Sequence, residues 1–291
     1  MSITSQTRIG LDHIGMFAVD LHRISSLYER LGFSLTPVSQ HASPPALGEP
    51  GVLRGTANRC AMLKHGYIEL LAVIDPSLDT LGVPAALEKY QGMHILAFQT
   101  DAPEVLQSQL QEQGFSASLV YLQRQVDGSA LSGLAQFTQV RTPPEQMPEG
   151  RVFALHHRTP ELVWQAGYLT HPNTAQALLE VVVVVDDLAQ AQQRYTRYFS
   201  CKADTSTCGQ ASFHLRTGTY TLMQTACYER SYPHAPLPLL PFPAVLVIGV
   251  ASLLTAAQYL IAQKVSFSYQ VNQLRIEAEQ AGGATLILRQ I

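Results

Sequence analysis

Apolar positions in this chain gather into short continuous runs that alternate with stretches of helical spacing. The runs "LDHIGMFAV" from Leu11, "YIELLAV" from Tyr67, "MHILAF" from Met93, "LEVVVVV" from Leu179 and "AVLVIGV" from Ala244 have the length and β-branched content of buried strands. Behind the first comes a helix pattern, with Leu21, Ile24, Leu27, Tyr28 and Leu31 on one face. The arrangement repeats. "LDHIGMFAVDLHRISSLYERLGF" aligns with "LEVVVVVDDLAQAQQRYTRYFS", matching Asp20-Leu21 to Asp187-Leu188 and Tyr28 to Tyr195. Strand-then-helix starts also occur at Met93 and Ala244. Short candidate strands follow each helix: "FSLTPVS", "RCAMLKH" and "YIELLAV" in the first unit, and "SASLVYL", "AQFTQV" and "VFALHHR" in the second. The third unit has "ASFHLRT" and "YTLMQT", and the fourth "VSFSYQV", "LRIEAEQ" and "TLILRQ".

The prediction is an α+β chain of four tandem βαβββ units. They pair into an N-terminal module over residues 8–166 and a C-terminal module over 176–291, separated by the turn signal Pro172-Asn173. "HASPPALGEPG" and "CYERSYPHAPLPLLPFP" read as long loops of the kind that cover a site.

Composition narrows the class. Hydrophobic residues make up 46% and charged residues 14%, which describes a globular chain with a large core. A net charge of -3 offers no basic surface for nucleic acid or anionic lipid. Ala244 to Ala262 approaches a membrane span in length. Its first half is β-branched and its second carries Ser252, Thr255 and Gln258, so a buried strand feeding an amphipathic helix is expected instead. The first residues lack a signal-peptide core, and Cys60, Cys201, Cys208 and Cys227 form no regular framework. The expectation is a cytoplasmic protein with reduced thiols.

The chemistry starts from Glu69, a carboxylate inside an otherwise apolar strand, which must be paired, metal-bound, protonated or turned outward. The tandem pattern, with "LDHIGMFAVDL", "NRCAML", "GYIELLAV", "GMHILAF" and "HRTPELVWQ" followed by "HPN", resembles the glyoxalase-like branch of the vicinal oxygen chelate superfamily. That superfamily includes glyoxalase I, extradiol dioxygenases and bleomycin-resistance proteins. The resemblance implies a cup with metal ligands on the first and fourth strands of each unit, here His13, Glu69, His94 and one of His156 or His157. Glu69 lies 56 residues after His13 and His156 lies 62 after His94, similar offsets that favour His156. Strand alternation lets only one of the adjacent histidines face inward.

Such imidazole and carboxylate ligands suit a divalent ion, Zn, Ni, Fe or Mn, and Glu69 could double as the general base. The sequence departs from the glyoxalase and dioxygenase pattern in having "LHHRT" where those enzymes commonly place a last-strand glutamate. Asn58, Arg59, Tyr67 and Trp164 are candidate substrate-binding groups, each with a plain structural alternative: Arg59 as a surface ion pair, Trp164 as packing. Opposite His13, Glu69 and His94 the second half offers Glu180, Leu222 and about Leu246, so it is expected to serve as scaffold, lid or dimer surface.

The implied function is a metal-dependent isomerase or lyase, less readily a dioxygenase, acting on a small oxygenated organic molecule. The alternative is a cup that sequesters such a molecule without turnover. The expected partner is a small molecule, with no nucleic acid and no membrane, and a homodimer is the assembly to test.

Overall fold

The computed structural model describes residues 9–42, 51–127 and 131–291. The first unit consists of β1 (Gly10–Phe17), α1 (Leu21–Arg30), β2 (Ser39–Ala42), β3 (Leu53–Met62) and β4 (Tyr67–Val73). A short helix α2 (Val83–Leu87) leads to the second: β5 (Gly92–Gln99), α3 (Pro103–Glu112), β6 (Ser118–Asp127), β7 (Ser132–Arg141) and β8 (Arg151–His157). After α4 (Pro160–Val163) the third unit brings β9 (Ala175–Val185), α5 (Leu188–Phe199), β10 (Asp204–Ser206), β11 (Gln210–His214) and β12 (Thr219–Gln224). The fourth follows α6 (Thr225–Ser231) with β13 (Phe242–Val250), α7 (Leu253–Ala262), β14 (Ser268–Gln270), β15 (Gln273–Ile276) and β16 (Thr285–Gln290).

The strands form two eight-stranded sheets of matching order, β2-β3-β4-β1-β5-β8-β7-β6 and β10-β11-β12-β9-β13-β16-β15-β14. In each, the first strands of two units pair antiparallel at the centre while the fourth strand of each unit runs parallel beside its first. This is the expected α+β architecture.

Local signals set the elements. Asp20, Asp187 and Ser252 each cap the helix that follows, accepting from the backbone N–H three residues on. Helix α3 begins on Pro103 instead. The membrane-like stretch resolves into β13 and α7, and no helix among the described residues is long and apolar enough to cross a membrane. The edge strands are least legible: β2 starts only at Ser39, the last residue of "FSLTPVS", and β10 has no counterpart among the expected strands. Of the two long loops, residues 43–50 of the first lie outside the described residues, and the second begins as α6.

One face of each sheet carries the long helices α1, α3, α5 and α7, and the largest buried cluster contains residues of both sheets, so the halves share a core. Aromatic rings cross between them, with Phe98 against Phe199 at 4.9 Å and Tyr220 at 5.7 Å. The opposite, inward faces hold smaller separate clusters.

Candidate functional site

Strand alternation puts His13, Tyr67, Glu69, Asn58 and Cys60 on the inward face of the N-terminal sheet, because His13 pairs with Tyr67, Cys60 with Glu69 and Asn58 with Leu71. Asp12 joins them by a different route. The register between β1 and β5 slips between Leu11 and His13, leaving Asp12 as the unpaired residue of a bulge. A bulge re-aims a side chain, and here it turns two consecutive residues into one compartment.

The result is a buried carboxylate between two imidazoles. His13 Nδ1–H donates to Asp12 Oδ1 at 2.5 Å, and His157 Nε2–H donates to Asp12 Oδ2 at 2.9 Å. Asp12 is 1% exposed. Burial opposes its charge, but the attraction of His157 and the hydrogen bonds of both histidines outweigh it and hold the carboxyl far below its ordinary range. With one nitrogen of each ring committed to Asp12, the other is left for a ligand. On His157 that atom, Nδ1, is buried without a partner.

Aromatic rings wall this triad. Tyr67 stacks on His13 at 4.3 Å, and Phe153 approaches it at 5.8 Å. Trp164 and Phe137 set their edges against His157 at 4.6 and 5.3 Å. Trp164 is fixed in turn by Nε1–H donating to Leu63 O.

Glu69 stands beside the triad, paired rather than turned outward. Asn58 Nδ2 donates to Glu69 Oε1 at 2.5 Å, and His41 Nε2 lies 3.5 Å from the same oxygen. Burial works against its charge, yet the hydrogen bond and charge of His41, the charge of His13 and the Asn58 amide lower its pKa to about 2. Asn58 Oδ1 and Arg124 Nε are further buried atoms without partners on this inward face. Together with His157 Nδ1 they leave three buried polar atoms of this cup open to a further partner. A cavity of ≈ 210 Å³ opens at its rim, with Cys60, Met62 and Arg124 in its wall.

Three of the expected site residues are placed elsewhere. His94 is the unpaired residue of a second bulge, where the β1–β5 register slips between Gly15 and Met16. Its ring is stacked between Phe17 at 5.0 Å and Tyr90 at 4.2 Å, and Nε2–H donates to Tyr90 O at 2.9 Å. His156 faces the opposite side, its Nδ1–H directed to Thr100 O at 3.2 Å, so His157 is the inward member of the pair. Arg59 lies on the helix-bearing face, donating to Thr36 O and to Glu29. Its surface ion-pair reading is the one the structure gives.

The sheet register explains the false match of offsets. The pairing of β1 with β5 is symmetric about its centre, making Ile95 the counterpart of His13 and His94 the counterpart of Asp12. The parallel pairs then make Phe153 the counterpart of Glu69. The second unit therefore contributes apolar groups where the first contributes ligand types. The donor set does not fit the expected four-residue metal site, and among the described residues no three His, Cys, Asp or Glu side chains are grouped to hold an ion.

Asp12, His157, His41 and Arg124 were not singled out as site residues. For His157 the sequence offers only the choice against His156, and for Asp12 only its adjacency to His13. His41 and Arg124 had no signal, since their strands lie at the sheet margin.

Comparison with known proteins agrees with this geometry. A family model described as "Glyoxalase-like domain" matches residues 11–199. A hypothetical protein from Staphylococcus aureus superposes with a TM-score of 0.65 at 14% identity, covering 97% of this chain and 100% of that one. A triple mutant of 4-hydroxymandelate synthase from Streptomyces coelicolor gives 0.57 at 12% identity, covering 97% and 92%. The 2,2',3-trihydroxybiphenyl 1,2-dioxygenase of Sphingomonas wittichii gives 0.50 at 13%, covering 99% and 91%. At these identities the structural likeness speaks for the fold alone. No protein of curated function matches the sequence. With the matching repeat, the paired sheets and a family match over most of its length, this chain belongs to the glyoxalase-like domain family of the vicinal oxygen chelate superfamily.

Proposed function

We propose that the N-terminal cup is a proton-transfer site for a small oxygenated organic molecule, of the isomerase or lyase kind, in which the protein's own side chains carry the acid and base roles. The observation behind this reading is the buried Asp12 carboxylate bridging His13 and His157. A carboxylate behind an imidazole fixes its tautomer and stabilises the cation formed when the far nitrogen takes a proton. Two such imidazoles on one carboxylate can act as base and acid on neighbouring atoms of a substrate. Arg124 supplies positive charge at the cavity wall, and Asn58 carries an unused amide oxygen. The expected metal ligands do not converge, because His94 and His156 are engaged with Tyr90 O and Thr100 O outside this cup.

A direct test follows proton exchange. The protein, without a histidine tag and with its metal content measured, is incubated in D2O with α-hydroxycarbonyl compounds and watched by proton NMR. The expected result is α-hydrogen exchange that survives chelation and falls about 10²–10³-fold in His13→Ala. Exchange that disappears with chelator and returns with stoichiometric divalent metal would defeat the proposal.

The aromatic walls favour a second reading, a sequestering cup that grips a flat ligand by stacking on Tyr67 and Trp164. Ligand binding that persists in His13→Ala without exchange by the unaltered protein is its signature.

A further inference from the structure

Four cysteines looked unrelated in the sequence, but the fold brings two of them together at a place remote from the N-terminal cup. Cys208 occupies the turn between β10 and β11, and Cys227 lies in the first half of α6, over the inward face of the C-terminal sheet. Their sulfurs are 3.0 Å apart, with Cys227 donating to Cys208. That is about 1 Å longer than a disulfide bond, so small rotations complete the approach.

The backbone holds the pair in register independently of the thiols. Gln224 N–H donates to Gly209 O at 2.9 Å, and Arg230 reaches Cys208 O at 3.3 Å. Gly209 has φ +91°, and a Cβ there would fall 2.2 Å from the Gln224 side chain, so glycine permits this close seat of the turn on α6.

The two thiols divide the roles that oxidation needs. Cys208 is exposed, whereas Cys227 is buried. Hydrogen bonds from Cys227 and Ser206, with Arg230 nearby, lower the Cys208 pKa and favour its thiolate. Burial raises Cys227, half-buried Cys201 and Cys60, the last to about 12. Reactivity is thereby concentrated on one sulfur with a second thiol poised beside it.

We infer that Cys208 and Cys227 form a peroxide-reactive dithiol that closes to an intramolecular disulfide and ties the β10–β11 turn to α6. The Cys208 thiolate attacks a peroxide oxygen, the O–O bond breaks and hydroxide leaves, giving a sulfenic acid. The Cys227 thiol then attacks that sulfur, the S–S bond forms and water departs. Two electrons pass from the pair of thiols to the peroxide. The consequence is a strap on the segment that covers the C-terminal cup.

The experiment treats the full-length reduced chain with a few equivalents of hydrogen peroxide. The expected product is 2 Da lighter, loses two of its four titratable thiols under denaturing conditions, and returns on addition of dithiothreitol. Its melting temperature rises by about 5 °C. Peptide mapping places the link between Cys208 and Cys227, and Cys208→Ser, an exposed change that leaves packing alone, abolishes it. Phenylarsine oxide, which bridges paired thiols, binds one per unaltered chain and none per Cys208→Ser chain. Alkylation of both cysteines after peroxide, a gain of oxygen on Cys208 without cross-linking, or a disulfide to Cys60 or Cys201 would each overturn the inference.

Discussion

The two sheets have the same strand order and share two bulges, yet their inward faces carry different side chains. The bulge that turns Asp12 inward recurs at Leu179, between Val247 and Ile248 of the partner strand, and the one that frees His94 recurs at Ala244. By the same register, Glu180 stands for His13, Thr221 for Glu69 and Ile287 for Phe153. Glu180 is spent on Thr221 and Arg289. The rest of the inward surface is mainly apolar, with buried Arg275 beneath Tyr232, and lies under Tyr228, Tyr232, Leu237 and Leu240 from α6 and the chain after it. One backbone plan therefore holds a cup lined by a carboxylate and two imidazoles in the first half and one filled by the chain's own side chains in the second. The lesson is that the fold supplies positions, and a handful of side chains decides whether a position is a site.

The strongest way to break this contrast is to exchange the bulge residues. Asp12→Leu removes the carboxylate from between two buried imidazoles and is expected to cost about 3 kcal/mol by urea denaturation, together with any proton-transfer activity. Leu179→Asp places a carboxylate against apolar neighbours in the filled cup and should cost about 1–3 kcal/mol without creating activity. Equal tolerance of both changes would show that Asp12 is not the organising charge.

Acid should distinguish the halves next. Asp12 and Glu69 have pKa values lowered in the folded state, Glu69 from 4.5 to about 2. Their ionised forms stabilise the fold fully above about pH 5, and that contribution is lost as pH falls toward 2. The Glu69 share is on the order of 3 kcal/mol. Urea midpoints measured across this window should fall steeply for the unaltered chain and less steeply for Glu69→Gln. Parallel curves would remove Glu69 from the account.

The smallest effect belongs to Arg59→Ala. Its ion pair with Glu29 is on the exposed helix side, so stability should change by no more than about 0.5 kcal/mol and ligand binding not at all. A binding defect would place that side chain in the site after all.

Much of this was readable from residue order. The units and the helix starts after Asp20 and Asp187 follow from short-range periodicity, which the chain carries locally, while the expectation of His13 and Glu69 in one cup comes with the family resemblance. What failed did so at bulges and strand ends. An unpaired residue shifts every later side chain by one face, so His94 answered to Asp12 and not to His13. In the second half the register makes Thr221, not Leu222, the counterpart of Glu69, and Ala244, not Leu246, that of His94. Arg59, next to inward Cys60, lost its candidacy to simple alternation.

The sequence by itself determined the α+β class, the fourfold repeat and the presence of an acid and an imidazole on adjacent strands of one cup, because period and propensity are written between near neighbours. Only the tertiary structure decided that His157 would meet His13 through Asp12, and that Cys208 would find Cys227. Those meetings depend on strand register and chain packing over long separations, and a single bulge, invisible in residue order, is enough to redirect them.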